Sequence, residues 1–404
     1  MQDLLLKHGS DRLCHYAAET GQLNVLQWAH ANGHAFDSRD IYNTAASNGH
    51  LNIIEWTRTT LNAAYSTEIF YLAAMKGHLN IVKWLRYHGC SVHEVNQLCH
   101  EVALNGHLDV LKFMCKEIII VKIHALHDMA NGAALRGHVH ILDWLFQLGY
   151  CFDEKTCAEA VSNNHLNALK YLRAVGCPWN ENVSIIAVMS GHFDTLKWMV
   201  ENGCPVNEHT CAYAARFGRL EILQYLRNNG CPWNDMTCTS AASQGHLHVL
   251  QWARQNNCPW NDMTCTSAAS QGHLHVLQWA RQNNCPWTGD VCLMAAKGGY
   301  LNVLKWACEN GAPYDIQRIC TMALDKGQLH VLKWALETHP SVELDYQDLK
   351  FVQLIHFKWD DINLIEWFHN LVTRTFKQKR NEVTDTLLNV LEVPDLVKLV
   401  KSYI

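Results

Sequence analysis

The sequence predicts an all-α solenoid of short helix-turn-helix repeats about 27 residues long, and three observations lead to it. Cys231–Asn257, CPWNDMTCTSAASQGHLHVLQWARQNN, is followed letter for letter by an identical copy, Cys258–Asn284. A Gly-His-Leu-like triplet recurs along nearly the whole chain. Between triplets, apolar residues fall twice at helical spacing, separated by a glycine break. A compact single-core domain rarely absorbs an inserted 27-residue copy. A fold in which each unit touches only its neighbours absorbs it readily.

Composition narrows the class. The 404 residues are 49% apolar and 18% charged, with a formal net charge of −5. That is not the electrostatic footprint of a nucleic-acid or anionic-membrane binder. The longest purely aliphatic run, Ile118–Val121, is far shorter than a membrane span. The opening MQDLLLKHGSD lacks the basic end and apolar core of a signal peptide. Seventeen cysteines are therefore expected as reduced thiols inside a cell, in cytoplasm or nucleus.

Taken in order, the triplet opens at Gly21, Gly49, Gly77, Gly106, Gly137, Asn164, Gly191, Gly218, Gly245, Gly272, Gly299 and Gly327. The spacings are 28, 28, 29 and 31 residues, then 27 six times, then 28, which defines twelve repeats. Ahead of them, 1–9 is assigned a half repeat, because Leu4–Gly9 reads as the second half of a unit. Asp361–Trp367 matches His50–Trp56, so a degenerate thirteenth repeat is expected near 351–371. The array thus covers 1–371, and 372–404 forms a separate C-terminal segment.

Within the first perfect copy, Asn234-Asp235 supplies a polar N-cap. Met236–Ser243 then carries Cys238, Ala241 and Ala242 on one apolar face. Gly245 ends that helix cheaply in the left-handed conformation. His246 opens the second helix, whose apolar residues are Leu247, Val249, Leu250, Trp252 and Ala253. Cys258-Pro259-Trp260 then turns the chain into the next unit, where proline cannot continue a helix. Neither helix is long enough to be stable alone, so stacking must stabilise both.

The sequence resembles ankyrin repeats, whose usual 33-residue unit reads TPLHxAA, then NGHLEVVKLLL, then GADVN. Ala241-Ala242, Gly245-His246-Leu247 and the end-of-unit Gly230 fall at the matching offsets. Cys231-Pro232-Trp233-Asn234 stands in place of Ala-Asp-Val-Asn, and Cys238 in place of the leucine of TPLH. Six residues are missing between Asn234 and the first helix. The resemblance therefore implies shortened β-hairpin fingers. The Trp-rich GHL…W…GCPWN variant is similar to the ankyrin arrays of large DNA viruses of amoebae and of some protists. For a viral chain, the compartment would be that of the host cell.

Residues with chemical potential recur along lines rather than converging. Eight histidines, among them His50, His78, His138, His246 and His273, take the second place of the triplet. Metal ligands and general bases need convergent partners. These are expected to hydrogen-bond neighbouring backbone and tie repeat to repeat. Cys204/Cys211, Cys231/Cys238, Cys258/Cys265 and Cys285/Cys292 are seven apart, which is not a zinc spacing. A packing role is expected for them. One tryptophan ladder (Trp252 and its equivalents) is expected inside the second helices, and another (Trp179, Trp233, Trp260, Trp287) in the turns. No nucleotide loop, nucleophile elbow or zinc-protease motif occurs. No cofactor is expected, and the chain does not read as an enzyme.

A binding function should then sit on the outward stripe of helix one, at i, i+4 and i+7. The two identical copies carry Met236, Ser240, Ser243 and Met263, Ser267, Ser270 there. The flanking repeats carry His209, Tyr213, Arg216 with Phe217, then Asp290, Met294, Lys297, then Arg318, Met322, Asp325. Aromatic and arginine anchors favour Tyr213, Arg216 and Phe217. The expected partner is a protein, bound by a monomeric scaffold, with no nucleic acid or membrane. The alternative reading rests on Val393, Pro394, Leu396, Val400 and Tyr403. Their segment is similar to the opening of an F-box, which implies a substrate adaptor that recruits a ubiquitin ligase. A helix capping the last repeat explains the same letters.

Overall fold

In the computed structural model, the described residues are 10–62, 66–93, 95–117, 123–342, Trp367, Asn370 and Leu371. The half repeat at 1–9, most of the thirteenth repeat and all of 372–404 lie outside them. Twenty-four helices, and no strand, occur among the described residues. The fold is an all-α array of helix pairs, as the periodicity predicts. Helices with odd numbers below are first helices of a repeat, and those with even numbers are second helices.

The chain divides into two compact units, one ending at Val206 and one beginning at Asn207. The first holds α1 (Ser10–Glu19), α2 (Leu23–Ala31), α3 (Ser38–Asn48), α4 (Leu51–Leu61), α5 (Thr67–Met75), α6 (Leu79–Tyr87) and α7 (Val95–Leu104). It continues through α8 (Leu108–Glu117), α9 (Ile123–Leu135), α10 (Val139–Gln147), α11 (Glu154–Ser162), α12 (Leu166–Ala174), α13 (Glu181–Ser190) and α14 (Phe193–Glu201). The second holds α15 (Glu208–Arg216), α16 (Leu220–Asn228), α17 (Asp235–Ser243), α18 (Leu247–Gln255) and α19 (Asp262–Ser270). It ends with α20 (Leu274–Gln282), α21 (Asp290–Gly298), α22 (Leu301–Glu309), α23 (Ile316–Asp325) and α24 (Leu329–Thr338).

Local chemistry sets the ends of these helices. The Asn234 side chain accepts from Met236 N at 3.0 Å, and Asn180, Asn207 and Asn261 cap in the same way. At the C-terminus of α17, His246 N donates to Ala241 O at 2.9 Å and Gly245 N to Ala242 O at 3.3 Å. This is a Schellman closure with Gly245 at φ 74. Helix α18 closes likewise, Cys258 N donating to Ala253 O at 2.9 Å, with Asn257 in the left-handed region at φ 62. Asparagine tolerates that region better than other residues with a side chain.

The core of a repeat is narrow. Thr237, Cys238, Ala241 and Ala242 of α17 are buried, with Val249, Leu250 and Ala253 of α18 and Cys258 of the next turn. First helices within a unit pack directly on one another, which small inward residues permit. Where α9 meets α7 the backbones come close, and a Cβ on Gly132 would stand 2.6 Å from His100 O. One expectation needs correction. Trp252 and its equivalents Trp198, Trp279 and Trp306 are half-buried, not core residues. A side chain of that size reaches the rim of a stripe that Val249, Leu250 and Ala253 already fill.

Candidate functional site

Three ladders hold the outward face in place, and each joins neighbouring repeats. In the first, His50 Nε2 lies 2.9 Å from Glu19 O, and His78 Nε2 3.0 Å from Ser47 O. His138, His192 and His246 reach Leu104 O, Ser162 O and Arg216 O at 3.0–3.1 Å. A carbonyl can only accept, so Nε2 carries the proton. Burial pushes the pKa of His107, His138, His246 and His273 below the ordinary histidine value. The predicted tie between repeats is present. A second row escaped the sequence reading: His140, His275 and His330 reach the carbonyls of Gly106, Gly245 and Gly299 at 3.1, 3.3 and 2.6 Å.

Four cysteine pairs meet across repeats, not at the seven-residue interval, and Cys292 meets Cys308 within one repeat at 3.8 Å. Cys157 Sγ lies 3.1 Å from Cys177 Sγ, and Cys211 Sγ 3.4 Å from Cys231 Sγ. Cys238 bonds to Cys258 and Cys265 to Cys285 in the same manner. The thiols of these pairs across repeats are free and buried. Each turn thiol then donates to the carbonyl of the preceding helix cap: Cys231 to Asn207 O at 3.2 Å, Cys258 to Asn234 O and Cys285 to Asn261 O, both at 3.4 Å. Every thiol of this row is buried and bonded within the chain, so the row is packing chemistry rather than a nucleophile array.

Arginine and tryptophan form the third ladder. Arg173, Arg227, Arg254 and Arg281 stand 4.1, 4.3, 4.2 and 4.2 Å from the ring centroids of Trp179, Trp233, Trp260 and Trp287. Each also donates to the carbonyl of the turn cysteine: Cys177, Cys231, Cys258 or Cys285. The turn tryptophans meet the helix-two tryptophans edge to face at 5.8–6.0 Å. Both tryptophan ladders are thus occupied by contacts within the chain.

On this frame, α15 exposes His209, Arg216 and Phe217, with Tyr213 half-buried. The rings of Tyr213 and Phe217 lie nearly parallel, at 14° and 6.5 Å between centroids. Asp290, Lys297 and Arg318 are exposed, and Met294 and Met322 half-buried. Asp290 and Arg318 come together in a cleft of about 150 Å³ with Thr288, Leu293 and Asp315. In the identical copies, Met236 and Met263 are 42% and 51% exposed, so the plain stripe does face solvent.

Two larger clefts in the first unit were missed. One, about 410 Å³, is lined by Thr67, Glu68, Tyr71, Leu72, Met75 and His93. The other, about 540 Å³, lies between α9 and residues 148–153. Like the Asp290–Arg318 cleft, each sits between a first helix and the turn that follows its repeat. The signal was available in the aligned letters, since Glu68, Leu72 and Met75 occupy the places of Met236, Ser240 and Ser243.

A family model described as ankyrin repeats, in three copies, matches residues 14–96 and 157–237. In those two segments the chain is similar to ankyrin repeats. No curated protein sequence matches the chain. Among solved structures, the human ASB11 ankyrin repeat domain is 19% identical, covering 40% of this chain and 84% of its own, with a TM-score of 0.34. The pentatricopeptide repeat protein PPR10 in complex with an 18-nt psaJ RNA element is 12% identical, covering 95% of this chain and 69% of its own, with a TM-score of 0.40. PPR10 from maize is also 12% identical, at 94% and 77% coverage and a TM-score of 0.29. At such scores neither likeness bears on function. Among the described residues, no group of three or more His, Cys, Asp or Glu is placed to hold a metal ion, and no helix is long and apolar enough to cross a membrane. Val393, Pro394, Leu396, Val400 and Tyr403 lie outside the described residues.

Proposed function

We propose that the chain is a non-enzymatic scaffold that holds a protein partner on its helix-one face. The observation that carries this reading is the contrast within α15. Thr210, Cys211, Ala214 and Ala215 are buried frame letters, while the same helix and its C-cap present His209, Tyr213, Arg216 and Phe217 outward. An aromatic pair beside an arginine is the chemistry of an interface anchor. Asp290, Met294, Lys297, Arg318 and Met322 extend the same kind of surface along the second unit. Two identical Met-Ser faces lie between these sets and lengthen the array more than they specify a partner. The likeness of the Trp-rich repeat to viral arrays supports a host-cell protein as that partner.

The test is affinity capture from cell lysate with wild type and with Tyr213→Ala/Arg216→Ala. The double variant is expected to lose the captured protein while its thermal midpoint stays nearly unchanged. Equal capture by both chains would remove these residues from the site. The second reading, a ubiquitin-ligase adaptor, is supported by the sequence around Val393-Pro394 alone. It requires a ligase adaptor to co-purify with the full chain and not with one ending at Asn381.

A further inference from the structure

The turn at 149–153 departs from its equivalents in a consistent way. Where the second copy begins Cys258-Pro259-Trp260-Asn261 after Asn257, this turn reads Tyr150-Cys151-Phe152-Asp153 after Gly149. A phenol replaces the buried thiol, an exposed thiol replaces proline, and a carboxylate replaces the capping amide. The place of the arginine that covers the turn in four other repeats is taken by Phe146, which is 45% exposed. This is a turn with added negative charge and without the cation its equivalents carry.

The neighbouring side chains form a closed polar network behind the cleft. Asn131 is 5% exposed and Thr156 fully buried. Thr156 Oγ1 lies 3.1 Å from Asn131 Oδ1 and 3.0 Å from Asp153 Oδ1. Asn131 Nδ2 donates to His127 Nε2 at 3.0 Å, and this leaves the ring proton on Nδ1, 3.1 Å from the Tyr150 hydroxyl. The Tyr150 oxygen therefore accepts, and its own proton can turn toward the cleft. Asp153 Oδ1 is used by Thr156 N and Oγ1, whereas Oδ2 stands 3.6 Å from His127 Nδ1, beyond hydrogen-bond reach.

The cleft of about 540 Å³ in front of this network has apolar walls from Leu126 and Leu148 and polar groups from Tyr150, His127 and Asp153. No lysine or arginine lines it. Asp153 is the carboxylate of that lining, and burial, then the charges of Asp153 and Asp128, push the Tyr150 phenol up to about 12. Apolar walls around an anionic end match a side chain with an aliphatic stem and a cationic tip.

We propose that the cleft between α9 and residues 148–153 is a pocket for a basic side chain, arginine or lysine, presented by a protein partner. The stem lies along Leu126, Leu148 and the Tyr150 ring, and the cation meets Asp153 Oδ2. The proposal rests on the scaffold reading but concerns the first unit, whereas the capture experiment above probes α15. Cys151 supplies an internal reporter, since among the seventeen cysteines it is the exposed one and it lines the cleft.

The test measures alkylation of Cys151 by iodoacetamide, mapped by mass spectrometry, in the full chain. The added probes are N-acetyl-arginine amide, N-acetyl-lysine amide and the uncharged N-acetyl-citrulline amide. At tens of millimolar, where a single anchored side chain saturates, one or both cations should slow the reaction about threefold or more. Citrulline amide should not slow it, and the ratio of the two cations identifies the preferred tip. Asp153→Asn keeps a capping side chain of the kind found at Asn180 and Asn234, so the fold is retained; each variant is compared with its own rate without probe. Protection should vanish in Asp153→Asn and survive in Asp128→Asn. Equal slowing by citrulline amide, protection that persists in Asp153→Asn, or no protection by either cation overturns the pocket and leaves the α15 surface untouched.

Discussion

The Arg254 guanidinium lies 4.2 Å from the Trp260 ring centroid while donating to Cys258 O, so one side chain closes one repeat and covers the turn into the next. Arg254→Ala removes a cation–π contact and a charged hydrogen bond together, and should destabilise the array by about 2 kcal/mol. Arg254→Lys should recover little of this, because an ammonium cannot both stack flat and reach the carbonyl. Urea midpoints followed by tryptophan fluorescence distinguish the three chains.

Gly245→Ala should be costly for two separable reasons. Its φ of 74 disfavours any Cβ, and that Cβ would stand 2.7 Å from His273 Nδ1. The backbone part alone is about 1–2 kcal/mol. In a His273→Ala background the steric part disappears, so the same substitution should cost less. A double-mutant cycle reads the difference as coupling. Additive effects would show that the two residues do not press on each other.

Stability should fall on mild acidification. His107, His138, His246 and His273 have folded pKa values below the ordinary one because burial disfavours the imidazolium. The unfolded chain therefore binds more protons. Their contribution is complete above about 6.5, the unfolded value, and is lost as pH falls from there through the folded values. Thermal midpoints between neutral pH and about pH 5 should show the decline. His246→Gln together with His273→Gln should flatten it, since Gln328 already fills the equivalent place and donates to Lys297 O at 3.5 Å.

Thr237 carries a buried hydroxyl with no hydrogen-bond partner. In the following copy, Thr264 Oγ1 has Thr239 Oγ1 at 3.5 Å, but the corresponding neighbour of Thr237 is Ala212. Thr237→Val should stabilise by about 1 kcal/mol, because it removes an unpaired polar group without changing side-chain shape much. Thr264→Val should bring no such gain. Calorimetric midpoints of the two single variants settle the comparison.

Much of the fold was legible because it is written locally. Asn234 caps α17, Gly245 and Asn257 close the two helices, and Cys238, Ala241 and Ala242 point inward, all from interactions within four or five residues. The outward stripe followed from the same periodicity, which is why Met236, Phe217, Asp290 and Arg318 are found exposed. Trp252 was misplaced because hydropathy records that a residue is apolar and not whether the stripe has room for it.

By itself, then, the sequence determined the period, the helix pairs, their ends and which face of each helix is buried. Tertiary structure alone decided which letters of neighbouring repeats touch. It set Cys211 against Cys231 rather than Cys204, laid Arg254 on Trp260, left Thr237 unpartnered, and gathered His127, Tyr150 and Asp153 at one cleft. The reason is physical: a repeat period states that positions recur, while the offset at which two repeats meet depends on how closely small first helices allow their backbones to approach.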